Sequence, residues 1–451
     1  MTLTHRLISG PLDPEQEFVR NHISYADLYA MAAHLFHELA GEETVCLYTE
    51  DRAVVAAAIL SALVGGPRLI LPYALNPRVL AEIRQIVPYH TLITSGTTAG
   101  DTIPIPGVRE FTPQAGKVRW PAAPLPAATC PDIPVLHLFT GGSTGTPAGW
   151  PKTAGNLLTE TLNIITTYGF CETDRVVATT SPLHIYGLLY SVLAPLGAGA
   201  GTIAGAPSFP AEIENTITAQ KASILVSVPA HYRAMAHHPC DPFPLRLAFS
   251  SAGMLEENDA HAFGAAHHMG INEVYGSTET GGVACRNRFA GETAFTAFSP
   301  VAVKLEDDHV HVKSGFLSPT LPLDAEGFYK MGDRAVFTAP NQFILAGRSD
   351  SIVKVGGKRV DLSVIRELLR GDPKITEALL LAISVGRARE NQIVAVVEGT
   401  VNLNDVNQLL AESLEPHARP RQIRVMDKIP VTPAGKYDRK QIESYFTTGH
   451  A

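Results

Sequence analysis

The chain has 451 residues, 45 per cent apolar and 18 per cent charged, which is long enough for two or three domains and apolar enough for substantial cores, so a disordered or fibrous chain is excluded. Its formal charge of −8 supplies no basic field of the kind that recruits nucleic acid or anionic lipid, and neither nucleic acid nor membrane is an expected partner. Five cysteines, Cys46, Cys130, Cys171, Cys240 and Cys285, are scattered without a C-x-x-C pair, which argues against a disulfide framework or a thiolate metal site and fits a reducing cytoplasm.

Pro11 and Asp13 interrupt the first residues before a signal-peptide run can build, so the expected location is cytoplasmic. Ser24-Tyr25-Ala26-Asp27-Leu28 then opens a helix with apolar residues at Leu28, Met31, Ala32, Leu35, Phe36 and Leu39, closed by Gly41. Val45 to Tyr48 reads as a strand, Ala53 to Val64 as an apolar helix and Arg68 to Leu71 as the next strand. This β/α alternation implies a parallel sheet. Five prolines between Trp120 and Pro134 mark a surface connection, which leads into a strand at His137 to Thr140. Ile185 to Ala211 carries no charge, yet Pro195, Pro207, Pro210 and five glycines make it a buried helix running into a buried strand rather than a membrane span. After Gly347 charged residues thicken and a compact β/α pattern fills the remainder, which places a domain boundary there: 1–347 and 348–451.

The strand ending at Thr140 is followed by Gly141-Gly142-Ser143-Thr144-Gly145-Thr146-Pro147-Ala148-Gly149. Glycines let backbone amides converge on an anion, and Ser143 and Thr144 add hydroxyl donors, as a polyphosphate requires; a plain surface loop is the alternative reading of the loop alone. No G-K-S or G-K-T follows at Walker spacing, which disfavours a kinase-type NTPase. Gly199-Ala-Gly201-Thr-Ile-Ala204 matches the loose dinucleotide fingerprint, but Pro207 and Pro210 stand where its helix should continue, so that match is read as chance.

Further on come Tyr275-Gly276-Ser277-Thr278-Glu279-Thr280, Tyr329-Lys-Met-Gly332-Asp333, Gly347-Arg348-Ser-Asp350-Ser-Ile-Val-Lys354-Val-Gly356-Gly357 and Pro433-Ala-Gly435-Lys436-Tyr-Asp438-Arg439. With the loop at Thr140, in this order and spacing, they resemble the acyl-CoA synthetase, adenylation-domain and luciferase superfamily over nearly the whole chain. The resemblance implies an α/β fold: a large N-terminal domain of parallel and mixed sheets wrapped by helices, and a small mobile α+β C-terminal domain. It implies ATP and magnesium as cofactors, a small-molecule carboxylic acid as substrate, and coenzyme A or the phosphopantetheine of an acyl carrier protein as acceptor.

Roles carry over residue by residue. Thr140, Gly142, Ser143, Thr144 and Gly145 would hold phosphates. Ser251, Ala252, Gly253, Tyr275, Gly276 and Ser277 would border the nucleotide, with Thr278 on the α-phosphate and Glu279 on magnesium, a hard cation that favours carboxylate oxygen. Asp333 and Arg348 would take the ribose hydroxyls, Asp350 would be the hinge, and Lys436 would bridge the carboxylate substrate and the α-phosphate during adenylation. Lys354, Gly356 and Gly357 would serve the thiol step after rotation of the small domain. Pro182-Leu-His184-Ile-Tyr186-Gly187 resembles the acyl-pocket segment in the form closest to aryl acid ligases, with Ser227, Val228, Val274 and the stretch Ser250 to Gly253 as further walls. The short chain also resembles, more loosely, the small aryl-acid AMP ligases of aryl-polyene pigment assembly.

Three departures stand out: Ala148 where the family carries lysine, with Lys152 four residues on; Met331 in place of threonine; and Leu362-Ser363-Val364 in place of a Pro-x-Glu. The expected activity is formation of an acyl-AMP from an aryl, hydroxybenzoate-like acid, then thioester formation. A medium-chain fatty acid, a non-thiol acceptor and a nucleotide-binding relative without turnover are the alternatives. The histidine pairs His34/His37, His237/His238 and His309/His311 lack an evident third ligand and are read as structural.

Overall fold

The computed structural model describes residues 3–11, 13–20, 22–96, 105–114, 125, 130–141, 147–236, 242–348, 352–355, 358–385, 390–432 and 437–447. The chain divides into two compact units, Met1–Val303 with Val312–Tyr329, and Lys304–His311 with Lys330–Ala451. The fold is α/β in the first unit and α+β in the second.

The first unit holds two sheets. One runs, edge to edge, Arg109–Phe111, Thr91–Ile93, Thr44–Leu47, Arg68–Leu71, Pro134–Thr140 and Ala148–Thr153; its first five strands are parallel and the last is antiparallel. The other has six parallel strands in the order Asn272–Ser277, Leu247–Ser250, Ile224–Ser227, Arg175–Ala178, Gly201–Thr202 and Glu17–Val19, extended at both ends by antiparallel strands. The early β/α alternation read from sequence is present. Ser24 caps the helix Tyr25–Glu38 through a reciprocal pair with Asp27, and Gly41, at φ 89°, turns the chain two residues after Leu39 ends the helix.

The helix Arg52–Leu63 is buried on every face and packs against strands of both sheets. Its apolar sequence explains this, since a helix without a polar stripe has no surface to show water. Asp51 caps it by accepting from the amides of Ala53 and Val54. Its first residue carries the one charge: the fully buried Arg52 guanidinium donates to Ser191 Oγ at 3.1 Å and to the carbonyls of Ala178 at 3.1 Å, Thr180 at 3.2 Å and Ile203 at 3.3 Å, and also to that of Gly205. Burial pulls this guanidinium down to about 10.

The uncharged stretch from Ile185 is a helix Ile185–Leu188, a π-turn Leu189–Leu193 and a helix Ala194–Ala198 leading to the strand Gly201–Thr202. The reading of a buried helix into a buried strand holds as far as Ile203. It is corrected beyond that point, because Ala204 to Phe209 is a largely exposed loop, with Phe209 74% exposed, and Pro210 opens a new helix to Gln220. Gly199, in the left-handed region, caps the helix before the strand, which removes the dinucleotide reading of Gly199 to Ala204. Among the described residues no helix is long and apolar enough to cross a membrane.

The second unit contains the strands Tyr329–Ala339 and Gln342–Arg348 as a hairpin, and a three-stranded sheet of Ile375–Val385, Glu390–Gly399 and Gln422–Met426. One face of that sheet packs Ala378, Leu380, Ile393, Ala395 and Val397 against the helices Leu362–Arg370 and Leu403–Ser413. The other packs Leu379, Leu381, Val394 and Val396 against Ile442 of the helix Arg439–Thr447.

Replacing Arg52 by methionine strips the donors from carbonyls at the ends of two strands. At about 1–3 kcal/mol for each buried acceptor left unpaired, the variant is expected to lose at least roughly 3 kcal/mol, read as a lowered urea midpoint.

Candidate active site

In the larger sheet the chain passes from Arg175–Ala178 to Gly201–Thr202 on one side and then to Ile224–Ser227 on the other. Successive connections thus diverge at the carboxyl ends of Arg175–Ala178 and Ile224–Ser227, the place where open parallel sheets leave a crevice for ligands. The predicted pocket residues follow these strand ends. Ser227 Oγ lies 2.8 Å from Thr179 Oγ1, and His231 Nδ1 lies 2.8 Å from Thr179 Oγ1 and 3.3 Å from Ser227 Oγ. The Tyr186 hydroxyl donates to the Ser227 carbonyl at 3.2 Å, which fixes the ring. Gly187 is obligatory, since a Cβ there would stand 2.1 Å from the Ser181 carbonyl oxygen. His184 is half-buried at the start of the helix Ile185–Leu188. Val228 and Val274 are buried. Thr179 and His231 were absent from the sequence-based candidates; a lone histidine after Pro229 gives no signal until strand order is known.

After the next two strands come Ser251 to Gly253 and the corner Tyr275 to Gly282. Ser251 Oγ donates to the Val274 carbonyl at 2.8 Å, and Ala252 takes φ 68°, a conformation that side chains other than glycine rarely adopt and that clusters at ligand sites. Gly276 is needed because a Cβ would meet the Gly281 carbonyl oxygen at 2.2 Å, where the two strands cross closest. The Tyr275 ring sits 5.7 Å from that of Phe295. Between these strands Ser277 and Thr280 bond reciprocally: Thr280 Oγ1 accepts from the Ser277 amide and Ser277 Oγ from the Thr280 amide, at 3.1 and 3.2 Å. Thr278 and Glu279 are half-buried on this corner.

The backbone of the corner is tied from inside. The Glu279 carbonyl accepts from the Ser318 amide at 2.8 Å and from Lys152 Nζ at 3.2 Å; Lys152 also donates to the Phe316 carbonyl at 2.7 Å. The Gly282 amide donates to Glu160 Oε1 at 2.6 Å. By contrast, the Glu279 carboxylate has no hydrogen bond or ion pair among the described residues, so hard oxygens are available to a divalent cation there, and the residues fit magnesium. Burial holds the Lys152 ammonium down to about 8, and burial raises the Glu160 carboxyl to about 7, each opposed by the other's charge.

Lys152 therefore does not replace the lysine missing at Ala148: it is 0% exposed and points inward to carbonyls. Thr140 Oγ1 accepts from the Trp150 indole at 3.1 Å, and Gly141 lies against the Tyr73 ring. In the second unit, Asp333 and Arg348 face each other across the hairpin with Oδ1 and Nη1 3.2 Å apart. Met331 is buried there, so its position is one of packing. The helix beginning at Leu362-Ser363-Val364 starts without the usual proline because Asp361 caps it through the Ser363 amide. Lys354 lies in the strand Ile352–Val355. Gly142, Ser143, Thr144, Gly145, Asp350, Gly356, Gly357 and Lys436 lie outside the described residues, as do His237 and His238. Among the described residues no third ligand joins His34 and His37, whereas His311 Nδ1 lies 3.7 Å from Glu306 Oε2, so the reading of His309/His311 as a pair without a further ligand is corrected at His311.

The sequence matches the AMP-binding enzyme family over residues 14–314. It is 30% identical over 305 residues to a 4-coumarate–CoA ligase of Rhodobacter capsulatus, spanning 66% of this chain and 73% of that one. To a benzoate–CoA ligase of Thauera aromatica it is 26% identical over 370 residues, 73% of this chain and 68% of that one. The fold is that of ATP-bound MatB from Rhodopseudomonas palustris, at TM-score 0.83 and 19% identity over 99% of both chains.

Glu160 gives a pH signature. Its carboxyl titrates near 7 when folded and near the ordinary 4.5 when unfolded, so the folded state binds the extra proton between those values. Its favourable contribution is complete below about pH 4.5 and is lost as pH rises through about 7. Thermal unfolding between pH 5 and 8 is expected to show the midpoint of Glu160→Gln falling less with pH than that of the unaltered protein.

Proposed function

The chain belongs to the AMP-binding enzyme family, the adenylate-forming enzymes, and from that premise we propose that this ligase activates an aryl carboxylic acid of hydroxybenzoate or cinnamate type and transfers it to the thiol of coenzyme A or of a carrier-protein phosphopantetheine. The observation that carries the reading is the placement of Tyr186, His184 and the Thr179, Ser227 and His231 cluster at the carboxyl ends of neighbouring parallel strands, with the Glu279 carboxylate, which makes no hydrogen bond or ion pair among the described residues, on the corner after another strand of the same sheet. An aromatic acid suits such walls, since Tyr186 offers a ring face and the Thr179, Ser227 and His231 cluster offers partners for a ring hydroxyl. The relatives that act on 4-coumarate and benzoate support the same class.

In the first step a carboxylate oxygen of the acid attacks the α-phosphorus of ATP and pyrophosphate leaves, giving the acyl-AMP. Glu279 would hold magnesium, which neutralises phosphate charge when bound. The glycine-rich loop from Gly142 to Gly145 holds the departing phosphates, Thr278 contacts the α-phosphate, and Asp333 with Arg348 orients the ribose. Lys436 places a fixed positive charge between the acid and the α-phosphate, where negative charge accumulates. In the second step the C-terminal domain, 348–451, rotates about Asp350 and presents Lys354, Gly356 and Gly357; the thiolate attacks the acyl carbon and AMP leaves.

Acid-dependent pyrophosphate release with ATP and magnesium tests the chemistry across benzoates, cinnamates, fatty acids and amino acids. Release with aromatic acids alone is expected; release with medium-chain fatty acids alone would replace the substrate class, and silence across the panel would remove the catalytic reading. Lys436→Ala is expected to lower that release about a hundredfold. A bulky residue at Gly357 is expected to spare pyrophosphate release and slow thioester formation, followed by acyl-AMP consumption on adding coenzyme A or a phosphopantetheinylated carrier.

A further inference from the structure

Among the charged side chains buried in the first unit, two reach the Glu279 corner: Lys152, on the strand that returns from the glycine-rich loop, and Glu160, on the helix Ala154–Tyr168 that follows it. We propose that Lys152 and Glu160 are positioning residues that hold the Thr278–Glu279 corner by gripping its backbone from the core side, Lys152 at the Glu279 carbonyl and Glu160 at the Gly282 amide; the proposal rests on the reading of Glu279 as the magnesium carboxylate.

The chemistry of the two ends is complementary. A carbonyl requires a donor, and the ammonium has three; an amide requires an acceptor, and the carboxylate supplies it. Exchanging the two side chains would leave both backbone groups facing the wrong partner. The grips act three residues apart, one at Glu279 inside the turn that the Ser277–Thr280 bonds close and one at Gly282 just beyond it. Because both act on main-chain atoms, they fix the peptide that carries Glu279 while leaving its carboxylate oxygens unclaimed among the described residues.

The same strand and helix make further ties to the neighbouring loop. The Pro151 carbonyl accepts from Ser318 Oγ at 2.9 Å, and Asn156 Nδ2 donates to the Gly315 carbonyl at 2.7 Å. One continuous segment therefore links the return strand of the glycine-rich loop to the corner and to the loop Gly315–Ser318. Glu160 also fills the space beside Gly281, where a Cβ would stand 2.5 Å from its carboxylate. An apolar side chain at 152 would pack there, but it would leave the Phe316 carbonyl without this donor and the Glu279 carbonyl with the Ser318 amide alone.

The test is a magnesium titration of acid-dependent pyrophosphate release in the full chain, with Lys152→Met, Glu160→Met, Glu160→Gln and Glu279→Gln beside the unaltered protein. Lys152→Met and Glu160→Met are expected to raise the half-saturating magnesium concentration about tenfold, as losses of outer supports to a metal ligand do, while the acid KM moves less than about twofold. Glu160→Gln, which keeps an acceptor for the Gly282 amide, is expected to restore most of what Glu160→Met loses. If Lys152→Met does not fold, the comparison of methionine with glutamine at 160 decides the matter. A normal magnesium curve in folded Lys152→Met and Glu160→Met, with Glu279→Gln shifted, overturns the positioning role. An unshifted curve in Glu279→Gln means that the reading of Glu279 itself has failed, and the positioning proposal falls with it.

Discussion

The arrangement of the first unit depends on one buried cation. Arg52 sits at the start of a helix that leaves the smaller sheet, and its guanidinium spreads over carbonyls that end strands of the larger one. A guanidinium suits this place because its donors form a rigid planar fork, so a single side chain can fix several carbonyls in one geometry. The helix behind it is otherwise apolar but for Ser61, and its one charged residue can lie between sheets because its donors are satisfied in place. The crevice at the divergence of Arg175–Ala178 and Ile224–Ser227 is therefore framed by a network whose alternative, an unpaired buried charge, is costly.

The corner at Glu279 applies the same logic with the signs reversed between neighbours. Lys152 and Glu160 each lie in an environment that resists their charge, yet each has a backbone group of matching polarity. Polar groups buried in this way contribute geometric definition more than net stability.

Much of this was legible in the residues. The capped helix after Ser24, the β/α alternation through Leu71 and the strand ending at Thr140 followed from periodicity and turn chemistry. The chemical motifs were read differently, through their resemblance in order and spacing to the adenylate-forming family, which the family match over residues 14–314 bears out. Less was legible wherever the answer depended on which strands pair. Thr179, Ser227 and His231 lie 48 and 4 residues apart in sequence and meet only because the strands before Thr179 and His231 are neighbours. Lys152 was visible as a lysine displaced from Ala148, but its inward direction comes from the tertiary burial of the last three residues of its strand. The loop after Ile203 was read as buried because it lacks charge, although uncharged small residues and prolines also make good surface turns.

The three-stranded sheet of the second unit carries an apolar core on each face, and both cores are closed by helices of that same unit. The apolar residues of this layer are covered on both sides by its own unit. Each core is thus complete within the second unit, so a cavity opened at Val396 or Ile393 would act on that unit's own stability.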